Sequence, residues 1–232
     1  MTATCDEFLQ GFAVRLTKLD TCGAVVAGAC STAISEGFIK VELEADEADG
    51  EEIEQTLANG KRCYYRKTAK QLNGYTVNIE FCNVDPELFN IATGVSLMLD
   101  DAASPVAQGF AVDSATYATA HFALEIWTDL SDGGCLDPSG RKWGYMLLPW
   151  LHNGTVSPPT IENGSANFIV NEAMTRDGNQ WGVGPYNIQT TQLGVPSPLF
   201  SPITSTTHYV LYKVNTAPPT GVCGCQTLVL PT

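Results

Sequence analysis

The sequence predicts a mainly β protein, an antiparallel β-sandwich or barrel with one short flanking α-helix and long loops. Several segments alternate apolar and polar residues with the period of two that half-buried strands show. Glycine (21) and proline (13) punctuate the 232 residues, as in a chain with many turns. The hydrophobic content of 44% is sufficient for a substantial core.

The first strands are predicted at residues 12–18 and 37–44, where apolar and polar residues alternate. Between them, Asp20–Ser31 is predicted as a loop because it is rich in glycine, alanine and cysteine. On the second strand, the apolar side expected to face the core carries Ile39, Val41 and Leu43. The opposite, solvated side carries Phe38, Lys40, Glu42 and Glu44.

A third strand followed by the only predicted helix occupies residues 74–94. Residues 74–82 alternate cleanly, and one face holds Tyr75, Val77, Ile79 and Phe81. The helix is expected at about 85–93, because Asp85 is a good N-cap and Pro86 suits the first helical position. Its apolar face carries Leu88, Ile91 and Ala92, and Gly94 provides the stop.

The second half of the chain predicts more strands joined by turns. Residues 118–129 and 143–151 are strand-like, with a turn at 132–134 and a loop through 138–140 between them. A hairpin at His152-Asn153-Gly154 and a second turn at Asn163-Gly164 are expected to form a meander. Its weaker strands are 156–162 and 166–173, followed by a loop over 175–207, a strand at 208–214 and an edge strand at 226–230.

The most unusual segment swings from acidic to basic within about thirty residues. Its acids are Glu42, Glu44, Asp46, Glu47, Asp49, Glu51, Glu52 and Glu54, and its bases are Lys61, Arg62, Arg66, Lys67 and Lys70. One interpretation is a solvated, flexible loop. The other is a protruding loop whose charged ends pair with neighbouring subunits, because opposite charges set register between partners.

Composition restricts the class of protein. The net charge of −13 argues against a nucleic-acid clamp, which needs clustered basic residues. Charged residues make up only 16%, which is consistent either with partner-covered surfaces or with a deep β core. The first residues lack the basic and apolar regions of a secretion signal, and no apolar run is long enough to span a membrane.

The eight cysteines are expected to be reduced thiols inside a cell. Cys22 and Cys30 bracket a predicted turn, so they are the candidate pair for a bridge in an oxidising medium. Cys223-Gly-Cys225 is too tight for a zinc pair and has no neighbouring histidine.

No catalytic constellation appears in the sequence, so no enzymatic activity, cofactor or metal site is predicted. His121, His152 and His208 lie outside any metal-ligand spacing and are expected to be structural. The many carboxylates leave a glycosidase-like pair open. The tryptophans could line a sugar groove, although core and interface packing is the favoured use for Trp127, Trp143, Trp150 and Trp181.

Five motifs in the first hundred residues resemble the major tail proteins of long-tailed siphophages that infect actinobacteria. They are FAVRLTKLDTCG at 12–23, GFIKVEL at 37–43, DGEE at 49–52, ANGKRC at 58–63 and YTVNIEFCNVDPELFNIATG at 75–94. The resemblance covers about the first 40% of the chain. It implies a tail-tube subunit, a β domain that forms hexameric rings stacked into a hollow tube in the virion.

The resemblance also implies roles for particular segments and partners. Residues 1–130 would form the tube domain, with 46–72 as the loop bridging one ring to the next. Glu42 and Glu44 would face the lumen, through which DNA passes. Residues 131–220 would be an outward elaboration or the remainder of the same domain, and 221–232 a tail. Implied partners are other copies of the chain, a tape measure protein, a tail terminator and a distal tail protein.

Two other functions are compatible with the sequence. The chain could be another virion component, such as a capsid-decorating protein or the tail terminator. It could also be a carbohydrate-binding or glycosidase-like β-sandwich, which would require exposed aromatic residues on one concave face.

Overall fold

The computed structural model describes residues 8–130, 142–159 and 167–230, and over these the protein is mainly β with a single short helix. Every strand pairing is antiparallel, which confirms the predicted fold class. In chain order the elements are β1 (Phe8–Lys18), β2 (Gly28–Ser35), β3 (Phe38–Ala48), β4 (Glu52–Thr56), β5 (Arg62–Lys67), β6 (Gln71–Phe81), α1 (Pro86–Thr93), β7 (Ser96–Leu99), β8 (Ala107–Ala111), β9 (His121–Leu130), β10 (Trp143–His152), β11 (Thr155–Val156), β12 (Phe168–Thr175), β13 (Gln189–Thr190), β14 (Pro196–Ser197), β15 (Val210–Val214) and β16 (Val222–Leu228).

Most strands belong to one sheet with the order β16-β2-β1-β9-β10-β12-β6-β3. Two strands lie off this path, because β11 pairs with β12 and β15 pairs with the first half of β10. The β10 and β12 strands therefore lie inside the sheet, between β9 and β6. The sheet ends at β16 and β3, so the expected edge strand near the C-terminus is confirmed.

The sheet curves around α1. The helix contacts both β2 and β12, which are four strand spacings apart in the sheet. In a flat sheet that separation would be about 19 Å, whereas a helix with its side chains is only about 10–12 Å across. The concave side of the sheet therefore holds the helix and the first core, which includes Leu16, Ile79, Phe89, Leu124 and Val170.

The helix begins and ends as predicted. The Asp85 side chain accepts hydrogen bonds from the backbone N–H groups of Glu87 and Leu88. Gly94 ends the helix in the left-handed region at φ 82°. Leu88, Ile91 and Ala92 are buried as expected, and Phe89 and Thr93 join them because the helix is covered on more than one side.

A second core covers the convex side of β9 and β10. On β9, Phe122, Leu124 and Ile126 face the first core, while Ala123 and Trp127 face the second. Residues from the 176–207 segment, including Trp181 and Leu199, close the second core from outside. The segment is therefore packed against the sheet through its side chains, although it contains only two short strands. All four tryptophans are buried, which confirms packing as their use.

A buried ion pair lies among the apolar side chains of the second core. Arg15 on β1 donates two hydrogen bonds of 2.6 Å to Glu125 on β9, and Glu125 is fully buried. The Tyr145 hydroxyl donates a third hydrogen bond to the same carboxylate at 2.7 Å. The Arg15 guanidinium also stacks 3.3 Å from the Tyr186 ring. The carboxylate raises the pKa of Arg15 despite burial, which by itself lowers that pKa.

A β-bulge overturns the predicted faces at the start of β3. The register shifts between Phe38, which opposes Phe81, and Lys40, which opposes Glu80. The extra residue, Ile39, is 51% exposed instead of buried. Phe38 packs against the first core together with Val41 and Leu43, because the bulge brings it onto their side.

The predicted hairpin at 152–154 is wrong. Leu151 opposes Thr175 and Thr155 opposes Asn171, so β10 and β11 pair one after the other with the same strand, β12. The chain therefore keeps its direction from β10 to β11 and does not reverse at 152–154. A type I′ turn needs positive φ at both central residues, and Asn153 has it (61°) whereas Gly154 does not. Gly154 serves close packing instead, since a Cβ there would lie 2.7 Å from the backbone oxygen of Ala92 in α1.

Two further strands and the disulfide differ from expectation. Residues 28–31, predicted as loop, belong to β2, which lies between β1 and β16 and shows no alternation because its second half is buried throughout. Residues 96–111, where no strand was expected, form the β7–β8 hairpin. The disulfide joins Cys30 to Cys225, and Cys22 is a free, exposed thiol. The turns expected at 132–134, 138–140 and 163–164 lie outside the described residues.

Candidate functional site

The charged segment forms a projecting β-hairpin, which we call the arm and define as residues 51–68. Strands β3 and β6 extend beyond the core to its base, and β4 pairs with β5 along it. Every residue from 51 to 73 is exposed. The loop expected over 46–72 is therefore a hairpin in most of its length. The sequence feature that indicates this hairpin is Asn59-Gly60, a pair typical of tight turns between strands. In the structure Gly60 has φ 79°, and Asn59 accepts a hydrogen bond from the Lys61 N–H.

Most opposite charges of this segment pair within the segment itself. Arg62 contacts Glu54 at 2.9 Å, and Lys67 contacts Glu52 at 3.6 Å. At the base, Lys70 lies 3.0 Å from Glu47 and 3.7 Å from Asp49. The hydrogen bond to Glu47 raises the pKa of Lys70. Exposed pairs of this kind are each worth about 0–1 kcal/mol, so they align the hairpin more than they stabilise it.

Four predicted contact residues are not in ion pairs within the part of the chain that the structure describes: Asp46, Glu51, Lys61 and Arg66. Asp46 lies in β3 opposite Gly74, and the backbone oxygen of Glu51 accepts a hydrogen bond from Thr68. Among the described residues, Lys61 and Arg66 are thus the basic residues of the segment with no carboxylate within ion-pair distance.

The two faces of the arm differ in chemistry. Residues that oppose each other across an antiparallel pair point to the same side. One face, which we call the paired face, carries Glu52, Glu54, Tyr65 and Lys67. On this face the Arg62 guanidinium lies 4.7 Å from the centre of the Tyr65 ring. The other, the open face, carries Ile53, Gln55, Tyr64 and Arg66. Ile53 and Tyr64 are 45% and 47% exposed.

A second polar surface covers the outer side of β3 and β6. Glu42 and Glu44 are exposed there, opposite Asn78 and Thr76 on β6. Glu80, which the sequence did not single out, joins them because it alternates with the buried Ile79 and Phe81. Lys40 binds Glu42 at 2.7 Å, and Asn167 donates to Glu80 at 2.6 Å. We call Glu42, Glu44 and Glu80 the acidic face.

The histidines make structural contacts. His208 links Thr175 (2.8 Å from its Nδ1) to Asp177 (3.2 Å from its Nε2), an order of groups similar to a catalytic triad. However, Thr175 is only 4% exposed and its hydroxyl already accepts the Tyr75 N–H, so it is not placed to attack a substrate.

The other two histidines lie together at the ends of β9 and β10. His121 accepts a hydrogen bond from Trp150 Nε1 at 3.1 Å and stacks 6.1 Å from His152. Burial, followed by the nearby His152 and Arg176, lowers the pKa of His121. The lowered pKa favours the neutral form of His121, whose Nδ1 accepts the Trp150 N–H and so holds the indole in the second core.

No helix among the described residues is long and apolar enough to cross a membrane. No protein-family model matches the chain, and no curated protein matches it at a significant level.

Proposed function

We propose that this chain is a structural virion protein, a phage tail-tube subunit that self-assembles into stacked hexameric rings around a channel for DNA. The observation that carries the proposal is the arm, which stands clear of both cores and is solvated on its two faces in the single chain. A lone two-stranded hairpin is marginally stable in water. A partner surface would supply the burial that the arm lacks.

The open face is the side of the arm suited to docking. The charges of the paired face are largely satisfied by their own neighbours. On the open face, Arg66 has no ion pair among the described residues, and the half-exposed Ile53 and Tyr64 lie beside it. The half-exposed ring on the paired face, Tyr65, is already covered by Arg62. Large apolar or aromatic residues beside an arginine are typical of the centre of a protein interface.

A second copy of the chain is the partner that the charges favour. The chain has a net charge of −13, whereas the arm (residues 51–68) contains three acids and four bases. All of the net negative charge therefore lies outside the arm. Arg66 and Lys61 would therefore be attracted to the acidic body of a neighbouring copy, and this attraction would favour contact between the arm of one copy and the body of the next.

Ring formation follows from the two edges of the sheet. Within the described residues, β3 and β16 each pair on one side only. Unpaired edges tend to find other strands, and a head-to-tail contact that closes into a ring removes them all. In such a ring the acidic face would line the channel, where repulsion lets a polyanion slide past without binding.

The test is assembly of the purified chain, followed by light scattering and negative-stain electron microscopy over a range of concentrations. The wild type is expected to form rings or hollow tubes of uniform width. The double variant Ile53→Glu/Arg66→Glu on the open face should stop stacking while circular dichroism stays unchanged. Glu52→Gln/Lys67→Gln on the paired face is the matched control and should assemble normally.

Two results would overturn the proposal. One is a wild-type chain that stays monomeric at every concentration, including after addition of preformed tail-tip complexes as nuclei. The other is uniform tube formation by a variant in which residues 51–68 are replaced by two glycines.

A further inference from the structure

Three side chains with metal-binding atoms meet beside the N-terminus of α1. Cys30 comes from β2, Glu87 from the first turn of α1 and Cys225 from β16, and their ligand atoms lie within 4.8 Å of one another. Cys30 and Cys225 are joined as a disulfide in the structure. We propose that, when both cysteines are reduced, these three residues bind one Zn²⁺ ion.

Hydrogen bonds from backbone N–H groups of β16 to two side-chain carboxylates hold β16 against the start of the helix. Asp85 Oδ2 accepts the N–H of Gly224 at 2.8 Å, and Glu87 Oε2 accepts the N–H of Cys225. Gly224 has φ 93°, and a Cβ at this position would lie 2.8 Å from Glu87 Oε2. The close approach of Cys225 to Glu87 thus requires glycine at 224. The carboxylates of Asp85 and Glu87 together fix the position of the Gly224–Cys225 backbone.

Cys30 is held in an unusual conformation. It is one of four described non-glycine residues with positive φ, at 55°, although it lies inside β2. Such a conformation is strained for a residue with a side chain, and strain of this kind concentrates at functional sites. Here it occurs at the residue that is bonded to Cys225.

The donor set suits zinc. Two thiolates and one carboxylate provide three negative charges, and thiolate ligands select Zn²⁺ over Mg²⁺ or Ca²⁺. Binding releases the two thiol protons and leaves the fourth tetrahedral position for water. A disulfide does not persist in a reducing compartment, whereas the metal would fasten β16 to β2 there and would add α1 to the linkage.

The site was not recognisable from the sequence because its ligands are far apart in the chain. Cys30 and Cys225 are separated by 195 positions. In the sequence, the cysteine nearest to Cys225 is Cys223, but Cys223 is exposed and lies outside the cluster.

The experiment titrates the untagged, fully reduced chain with Co²⁺ under anaerobic conditions and then displaces the Co²⁺ with Zn²⁺. One equivalent should bind with a thiolate-to-cobalt charge-transfer band. Cys30→Ser or Cys225→Ser should abolish that band, and Glu87→Gln should weaken Zn²⁺ binding by roughly tenfold or more. Cys22→Ser, an exposed cysteine outside the cluster, is the control and should leave the titration unchanged.

A second measurement on the wild type needs no variant. Zn²⁺ should raise the melting temperature of the reduced chain and leave that of the disulfide form unchanged. Absence of stoichiometric binding, a charge-transfer band that survives Cys225→Ser, or equal effects of Zn²⁺ on both redox forms would overturn the proposal. None of these results depends on whether the chain forms tubes.

Discussion

Replacing Arg15 by methionine should destabilise the protein strongly, because Arg15 neutralises a buried carboxylate. The change keeps the apolar stem but removes the charge opposite Glu125, which is fully buried. Tyr145 would then be the remaining hydrogen-bond donor to that carboxylate among the described side chains. Breaking a buried pair on one side costs about 3–5 kcal/mol, because an uncompensated charge stays in the core.

Removing the whole polar group should have a much smaller effect. The triple variant Arg15→Met/Glu125→Leu/Tyr145→Phe leaves neither a buried charge nor a hydroxyl without an acceptor. Well-packed apolar replacements of buried ion pairs are often neutral or stabilising. We therefore expect the triple variant to lie within about 1 kcal/mol of the wild type, or above it. The effects of the single changes would then be strongly non-additive.

Urea unfolding of the dispersed subunit, followed by tryptophan fluorescence, measures these differences. A loss of 4 kcal/mol would lower the melting temperature of a chain of this size by about 8–16 °C. Lys18→Met is the matched control, because Lys18 lies on the same strand but is exposed, and its effect should stay within about 0.5 kcal/mol. A loss below about 1 kcal/mol for Arg15→Met, or a triple variant less stable than the single one, would refute the reasoning.

Three other changes can be measured by the same unfolding assay. Asp85→Ala removes the N-cap of α1 and should cost about 1–2 kcal/mol; an unchanged midpoint would contradict the capping role. Gly154→Ala should cost about 1–3 kcal/mol because its Cβ would press on the Ala92 backbone oxygen, and a neutral result would mean that α1 shifts freely. The lowered pKa of His121 means that the unfolded chain binds the proton more readily, so stability should fall as pH drops below about 6.5. His121→Gln should flatten that slope, and an equal slope in both proteins would exclude His121 as its source.

Local chemistry made several elements predictable. The alternation of Val77, Ile79 and Phe81 with polar residues predicts β6 and its buried face, because strand side chains point to opposite sides in turn. The Asp85 cap and the Gly94 stop place α1 correctly, since both signals act within a few residues of the helix ends.

The candidate site was predictable in composition but not in form. The run of acids followed by bases marked the arm, while cross-strand register decided which charges meet, such as Glu54 with Arg62. Register also places Ile53 opposite Arg66 and so forms the open face, which the number and order of charges in the sequence do not predict. Glu80 became part of the acidic face only because β3 pairs with β6.

The β class, the helix with its caps and the location of the charged segment can be predicted from the amino-acid sequence, because each of these depends on residues close together in the chain. Three features become visible only in the folded chain: the bulge that places Phe38 instead of Ile39 on the core side, the passage of β10 into β11 without a turn, and the bond between Cys30 and Cys225. The physical reason is that these features are set by contacts between segments separated by tens to hundreds of residues.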